Sequence, residues 1–162
     1  MPFGGFKDFA DCVARNQDKD DPDAYCGRIK AQVEKRCQIA KVDEDRNLVF
    51  GWANVAVRKD GGQVVDFEDD MTDVQALEDA AYLFNLEFRE ANAGQHGSPV
   101  IGKLVESLVV TPEKLEAMGL DKAALPLGWW VGFLVDDATF GKVKKGQFKM
   151  FSIEGSALRE AA

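Results

Sequence analysis

The spacing of apolar residues changes along the chain, and the change comes at Cys37. Before it, apolar residues recur at helical spacing within residues 6–16 and again within residues 23–36, so each stretch carries one apolar stripe. We therefore expect a helical hairpin over residues 1–37. A second, larger domain is expected over residues 38–162.

Beyond the hairpin, short apolar or alternating runs are bounded by turn residues, which is typical of strands. These runs predict strands at residues 38–42, 47–58, 63–66, 100–110, 129–135 and 147–153. Helix signals predict helices at residues 72–91, capped by Thr72, from Thr111 onward, and at residues 137–145. Many strands with one long helix predict an α+β fold, in which a mostly antiparallel, barrel-like sheet is flanked by helices.

The composition limits the classes of function. With 162 residues, 46% of them hydrophobic, the chain can bury one main core and a small appendage. It has no apolar run near the roughly 20 residues that span a bilayer and no signal-peptide order, so we expect a cytoplasmic protein without a membrane partner. The net charge of -8 argues against nucleic acid as a partner, because binding phosphates requires clustered lysine and arginine.

The chain has three cysteines, an odd number. Cys12 and Cys26 can face each other across the hairpin. In a reducing compartment we expect them to be packed thiols rather than a disulfide. No histidine lies nearby in the sequence, so they do not indicate a metal site, and we expect no cofactor.

One histidine and one serine are candidate catalytic residues. His96 is the only histidine of the chain and lies in a glycine-rich loop, whereas Ser152 interrupts an apolar run. Taken singly, each is more often structural, as a polar loop residue or as a small strand residue bonded to a carbonyl. Together they fit a nucleophile and its base, and Gly155 gives the backbone freedom to turn N–H groups toward an oxyanion. The chain lacks a Gly-x-Ser-x-Gly motif, so an α/β-hydrolase is not expected.

Glu106 stands out in the long predicted strand. Strict alternation places it on one face with Leu104 and Leu108, where a buried carboxylate is costly unless it is paired. The structural interpretation is an exposed face or a salt bridge to an arginine. The functional interpretation is an acid that orients His96, because buried carboxylates cluster where pKa values are tuned. We expect Glu106 to be buried and bonded to His96 or to a basic side chain.

Four segments carry a resemblance to a known family. In chain order they are residues 41–55 (KVDEDRNLVFGWANV), 102–107 (GKLVES), 127–133 (LGWWVGF) and 149–155 (KMFSIEG). Together they resemble the XkdF-type phage serine proteases, which belong with the prohead, or capsid maturation, proteases and have a fold similar to herpesvirus assemblin. The resemblance covers about residues 38 to 160. It implies a seven-stranded barrel flanked by helices, with Ser152 as nucleophile and His96 as base.

The resemblance also implies a biological setting. A prohead maturation protease cleaves scaffold and major capsid protein inside the immature shell, in the host cytoplasm, and often processes itself. Those two phage proteins are the expected partners, and a homodimer is a further expectation. The alternative is a protease-like fold retained without catalysis, as a scaffolding or capsid-associated protein.

The histidine loop departs from the family pattern. The family commonly has a Gly-x-Met-His-Glu-like loop, whereas residues 94–98 read GQHGS, so the acidic neighbour of the histidine is absent. The third catalytic residue is therefore open. Glu106 is the first choice, followed by Glu154 and Glu160.

Overall fold

A computed structural model of the chain describes residues 6, 8–27, 29, 38–65, 70–93, 98–153 and 155. The helices are α1 (Phe9–Arg15), α2 (helical residues 22–27), α3 (Val74–Glu87), α4 (Pro112–Ala117) and α5 (Asp137–Lys144). The strands are β1 (Ile39–Asp43), β2 (Leu48–Val57), β3 (Glu90–Asn92), β4 (Val100–Val110) and β5 (Leu127–Val135). Within these described ranges, no helix combines the length and the apolar character needed to cross a membrane.

The strands form one sheet of five, in the order β1-β2-β5-β4-β3, and every neighbouring pair is antiparallel. The predicted α+β class, with an antiparallel sheet flanked by helices, is confirmed. The predicted barrel-like closure is wrong for the described strands, since β1 and β3 are the two edges of an open sheet.

Most predicted elements of the larger domain form close to their expected places. The hairpin of β1 and β2 forms, and β4 has the predicted bounds. The long helix is shorter than predicted and is capped by Asp73 rather than Thr72, because the Asp73 carboxylate accepts a hydrogen bond from the N–H of Ala76 at 2.9 Å. The final strand is wrong, since the described residues there make a single bridge, from Met150 to Gln38.

The core lies between one face of the sheet and the helices α3 and α5. Alternate residues of β5 point into it, as expected for a strand with one covered face. Leu77 and Ala81 contribute from α3, and Phe140 from α5. The β5 residues in this core are Trp129, Val131, Phe133 and Val135.

A bulge in β4 reverses the expected direction of Glu106. The register with β5 shifts between Leu104, which pairs with Phe133, and Glu106, which pairs with Gly132. Leu104 packs against the core. Glu106 is exposed and accepts a hydrogen bond from Trp130 of β5. Both side chains lie on the face of the sheet that is opposite the core. Strict alternation therefore gave the wrong face, because a bulge inserts one residue into the two-residue period.

The N-terminal helices are joined by a disulfide between Cys12 and Cys26. The expectation of two packed thiols is therefore wrong in this structure. Each helix start has an aspartate cap, since Asp8 accepts from the N–H of Asp11 and Asp21 from the N–H of Ala24.

Candidate active site

Ser152 lies at the end of a segment that is held on the sheet at two points. The N–H of Ile39 donates to the carbonyl of Lys149 at 2.9 Å, beside the bridge from Met150 to Gln38. The ring of Phe151 then packs on Phe133 in the core, with 5.7 Å between the ring centroids. Ser152 comes next and is exposed. The segment thus places a serine in solvent directly after a core anchor, which is the accessibility that a nucleophile needs.

Gly51 of β2 lies under this segment, and its role was missed by sequence reasoning. A methyl group at Gly51 would come closer than 3.0 Å to the carbonyl oxygen of Gln38, and to 3.1 Å from the ring of Phe151. The missing side chain therefore allows the close approach of the segment that leads to Ser152. A glycine among the large residues of a strand was the available signal, since such a glycine often marks a close approach of another backbone.

His96 lies outside the described residues, and so do Glu154 and Glu160. The expected proximity of His96 to Ser152 stays a prediction. In the chain, His96 lies between Asn92, the last residue of β3, and Val100, the first residue of β4. The histidine loop therefore connects these two strands.

The segment that leads to Ser152 crosses the core face of the sheet. Its backbone bonds to the start of β1, whereas the ring of Phe151 packs on Phe133 of the central strand β5. Two strand spacings separate β5 from β3, the strand that precedes the segment of His96 in the chain, which is about 10 Å in a flat sheet. A Ser–His pair therefore requires this distance to be spanned across the core face.

Glu106 takes part in an aromatic cluster on the face opposite the core. Its carboxylate accepts a hydrogen bond from the indole N–H of Trp130 at 2.8 Å. The Trp130 ring meets Trp52 edge to face, with centroids 5.5 Å apart. Glu106 is exposed, and its hydrogen-bond partner among the described residues is an indole rather than a basic side chain, so the expected burial and ion pair are wrong. Its contacts match the structural interpretation.

The best-connected carboxylate in the described structure is Glu78 of α3. It forms an ion pair with Lys114 of α4 at 2.5 Å and accepts a hydrogen bond from Tyr82 at 2.7 Å. The hydrogen bond with Lys114, followed by that with Tyr82, lowers the pKa of Glu78. Lys114 also donates to the carbonyl of Val109, so the network joins two helices and the end of β4. Its role is structural.

No cluster of three or more histidine, cysteine, aspartate or glutamate side chains suited to a metal ion occurs among the described residues. Comparison of the chain with family models, with curated protein sequences and with solved structures finds no match.

Proposed function

We propose that this protein is a phage prohead maturation protease, a serine endopeptidase that cleaves segments of scaffold and major capsid protein. The proposal starts from the four segments that resemble the XkdF-type proteases. Three of them include residues of the neighbouring central strands β2, β5 and β4, and the fourth contains Ser152. The first three segments therefore lie side by side in the sheet.

The observation that carries the proposal is the exposed position of Ser152 directly after Phe151, which packs over the core face of the sheet. Phe151 contacts Phe133 on β5, and β5 is two strands from β3, which precedes the segment of His96 in the chain. We propose that this segment reaches over the core face and brings His96 to Ser152.

In the proposed mechanism, the hydroxyl of Ser152 attacks the peptide carbonyl, and His96 takes its proton and returns it to the leaving amine. Backbone N–H groups near Gly155 hold the oxyanion. A glutamate orients the imidazole. Glu154 replaces Glu106 as first choice for that role, because Glu106 points away from the face on which Phe151 packs. Glu160 is the third candidate.

The test is covalent labelling with a fluorophosphonate, followed by intact mass measurement. We expect one adduct on the wild-type protein and none on Ser152→Ala. Ser107→Ala is the matched control, because the hydroxyl of Ser107 accepts a hydrogen bond from Trp129 at 2.9 Å and has a structural role. It should be labelled like the wild type.

Equal labelling of wild type and Ser152→Ala would contradict the proposed nucleophile. Absence of any adduct would favour the second candidate function, a protease-like scaffolding or capsid-associated protein without catalysis. The observation that favours this alternative is the open sheet, whose edges β1 and β3 are separate in the described structure.

A further inference from the structure

The N-terminal hairpin has its own small core. Cys12, Cys26 and Ile29 are buried in it, and Phe6, Phe9, Val13 and Tyr25 pack around them. Among the described residues, this cluster and the core of the sheet share no member. The packing that holds the sheet together is therefore separate from the packing that holds the hairpin together.

The hairpin is too small for this core to hold it alone. Helix α1 has 7 residues, and isolated helices of that length are marginal in water. Units below about 40 residues usually need a disulfide, a metal or an oligomer to stay folded. The aspartate caps at Asp8 and Asp21 satisfy free N–H groups at the helix starts, but they bury no apolar surface.

The disulfide between Cys12 and Cys26 supplies the missing constraint. It joins residues 14 positions apart, on the two helices that face each other. A crosslink of this kind stabilises the folded form mainly by restricting the unfolded chain. Both cysteines are 0% exposed, so a reductant reaches the sulfur atoms only when the hairpin opens.

We propose that the hairpin over residues 6–29 is a redox-responsive module, folded when the bond between Cys12 and Cys26 is formed and unfolded when it is reduced, while the sheet domain stays folded in both states. The inference does not depend on the proposed protease activity. It assigns a role to the one part of the chain that the resemblance does not cover.

The chemical step is thiol–disulfide exchange with a dithiol such as dithiothreitol. One thiolate of the reagent attacks a cysteine sulfur, the protein disulfide breaks, and a mixed disulfide forms. The second thiol of the reagent then displaces the protein cysteine. The reagent leaves as a cyclic disulfide, and the protein gains two electrons and two protons as the thiols of Cys12 and Cys26.

The experiment follows tryptic cleavage of the full chain after Arg15 and Lys19, with and without dithiothreitol. Samples are quenched with acid and then reduced, so that fragments held by the disulfide separate before mass measurement. Tryptophan fluorescence reports the sheet at the same time, because Trp129 is buried in its core. Loss of a crosslink that closes a loop of this length should speed cleavage on the order of a hundredfold when cleavage follows opening.

Two variants make the result specific. Cys12→Ser combined with Cys26→Ser should be cut rapidly with or without the reductant, whereas Cys37→Ser should behave like the wild type. Equal cleavage rates in both conditions would overturn the proposal, and so would free thiols at Cys12 and Cys26 in the air-oxidised protein. Loss of the Trp129 signal together with the hairpin would also overturn it, because the two units would then fold as one.

Discussion

Two glycine-to-alanine substitutions should change stability in opposite directions, although both add the same methyl group. At Gly51 the new methyl would overlap the carbonyl oxygen of Gln38, which is backbone and cannot rotate away, and would touch the ring of Phe151. At Gly141, inside α5, it would meet no heavy atom within 4 Å. The difference in stability between the two variants therefore reports the effect of the close contacts at Gly51.

The expected magnitudes follow from packing and helix propensity. Overpacking at a site that cannot relax costs about 1–3 kcal/mol, so Gly51→Ala should lower the free energy of unfolding by that amount. Alanine in a helix interior is favoured over glycine by about 1 kcal/mol, so Gly141→Ala should raise it. The two variants should thus differ by about 2–4 kcal/mol, a large part of a total stability on the order of 5–15 kcal/mol.

The assay is urea unfolding monitored by tryptophan fluorescence, with the midpoint and the slope fitted together. We expect the midpoints to move in opposite directions with an unchanged slope, which indicates a change in stability rather than in the compactness of either state. Gly51→Ala should also reduce phosphonate labelling of Ser152, because the segment that carries the serine must shift. If the two variants unfold at the same midpoint, the proposed contact between Gly51, Gln38 and Phe151 is wrong.

Three further predictions concern the proposed site and the charged network. Ser152→Ala and His96→Ala should each abolish cleavage of co-expressed scaffold or capsid protein, measured as the shift of the substrate band on a gel, with thermal stability nearly unchanged. A large drop in melting temperature would indicate a structural role instead. Glu78→Gln should be less stable than wild type at pH 7. The bond to Lys114 lowers the pKa of Glu78, so its stabilising effect is fully present above the ordinary glutamate pKa of about 4.3. The effect is lost as the pH falls through the lower pKa of the folded state. The unfolding curves of the two proteins should therefore converge at lower pH. Glu106→Gln keeps an oxygen that can accept from an indole, so both stability and cleavage should match the wild type; a loss of cleavage alone would restore Glu106 as the acid of the triad.

The sequence was sufficient for elements whose signals are local. Strand β4 and helix α4 appear where predicted, because a strand rich in valine and leucine ends just before Thr111, whose side chain caps the helix that Pro112 begins. The predicted start of the long helix was wrong for a similarly local reason. Thr72 and Asp73 are both good caps, and propensity alone does not choose between adjacent candidates.

Features that depend on distant partners were not predictable in the same way. The last predicted strand is apolar enough for a strand, but its pairing depends on the available edge of β1, where the described contact is one bridge from Met150 to Gln38. The disulfide of the hairpin depends on how closely two short helices approach. The alternation of polar and apolar residues shows neither which edge a strand pairs with nor how closely two helices approach.

The bulge in β4 links the failed prediction for Glu106 to the choice of catalytic residues. It turns Glu106 toward Trp130 and leaves Leu104 on the core side, so the two residues that alternation puts together lie on opposite faces. An acid that orients His96 must reach the imidazole from the side on which the nucleophile lies, and Ser152 directly follows Phe151, which packs on the core face. A carboxylate on the outer face cannot meet this requirement without crossing the sheet. We therefore look for the acid on the core side of the sheet, and Glu154, two residues after Ser152, is the better candidate.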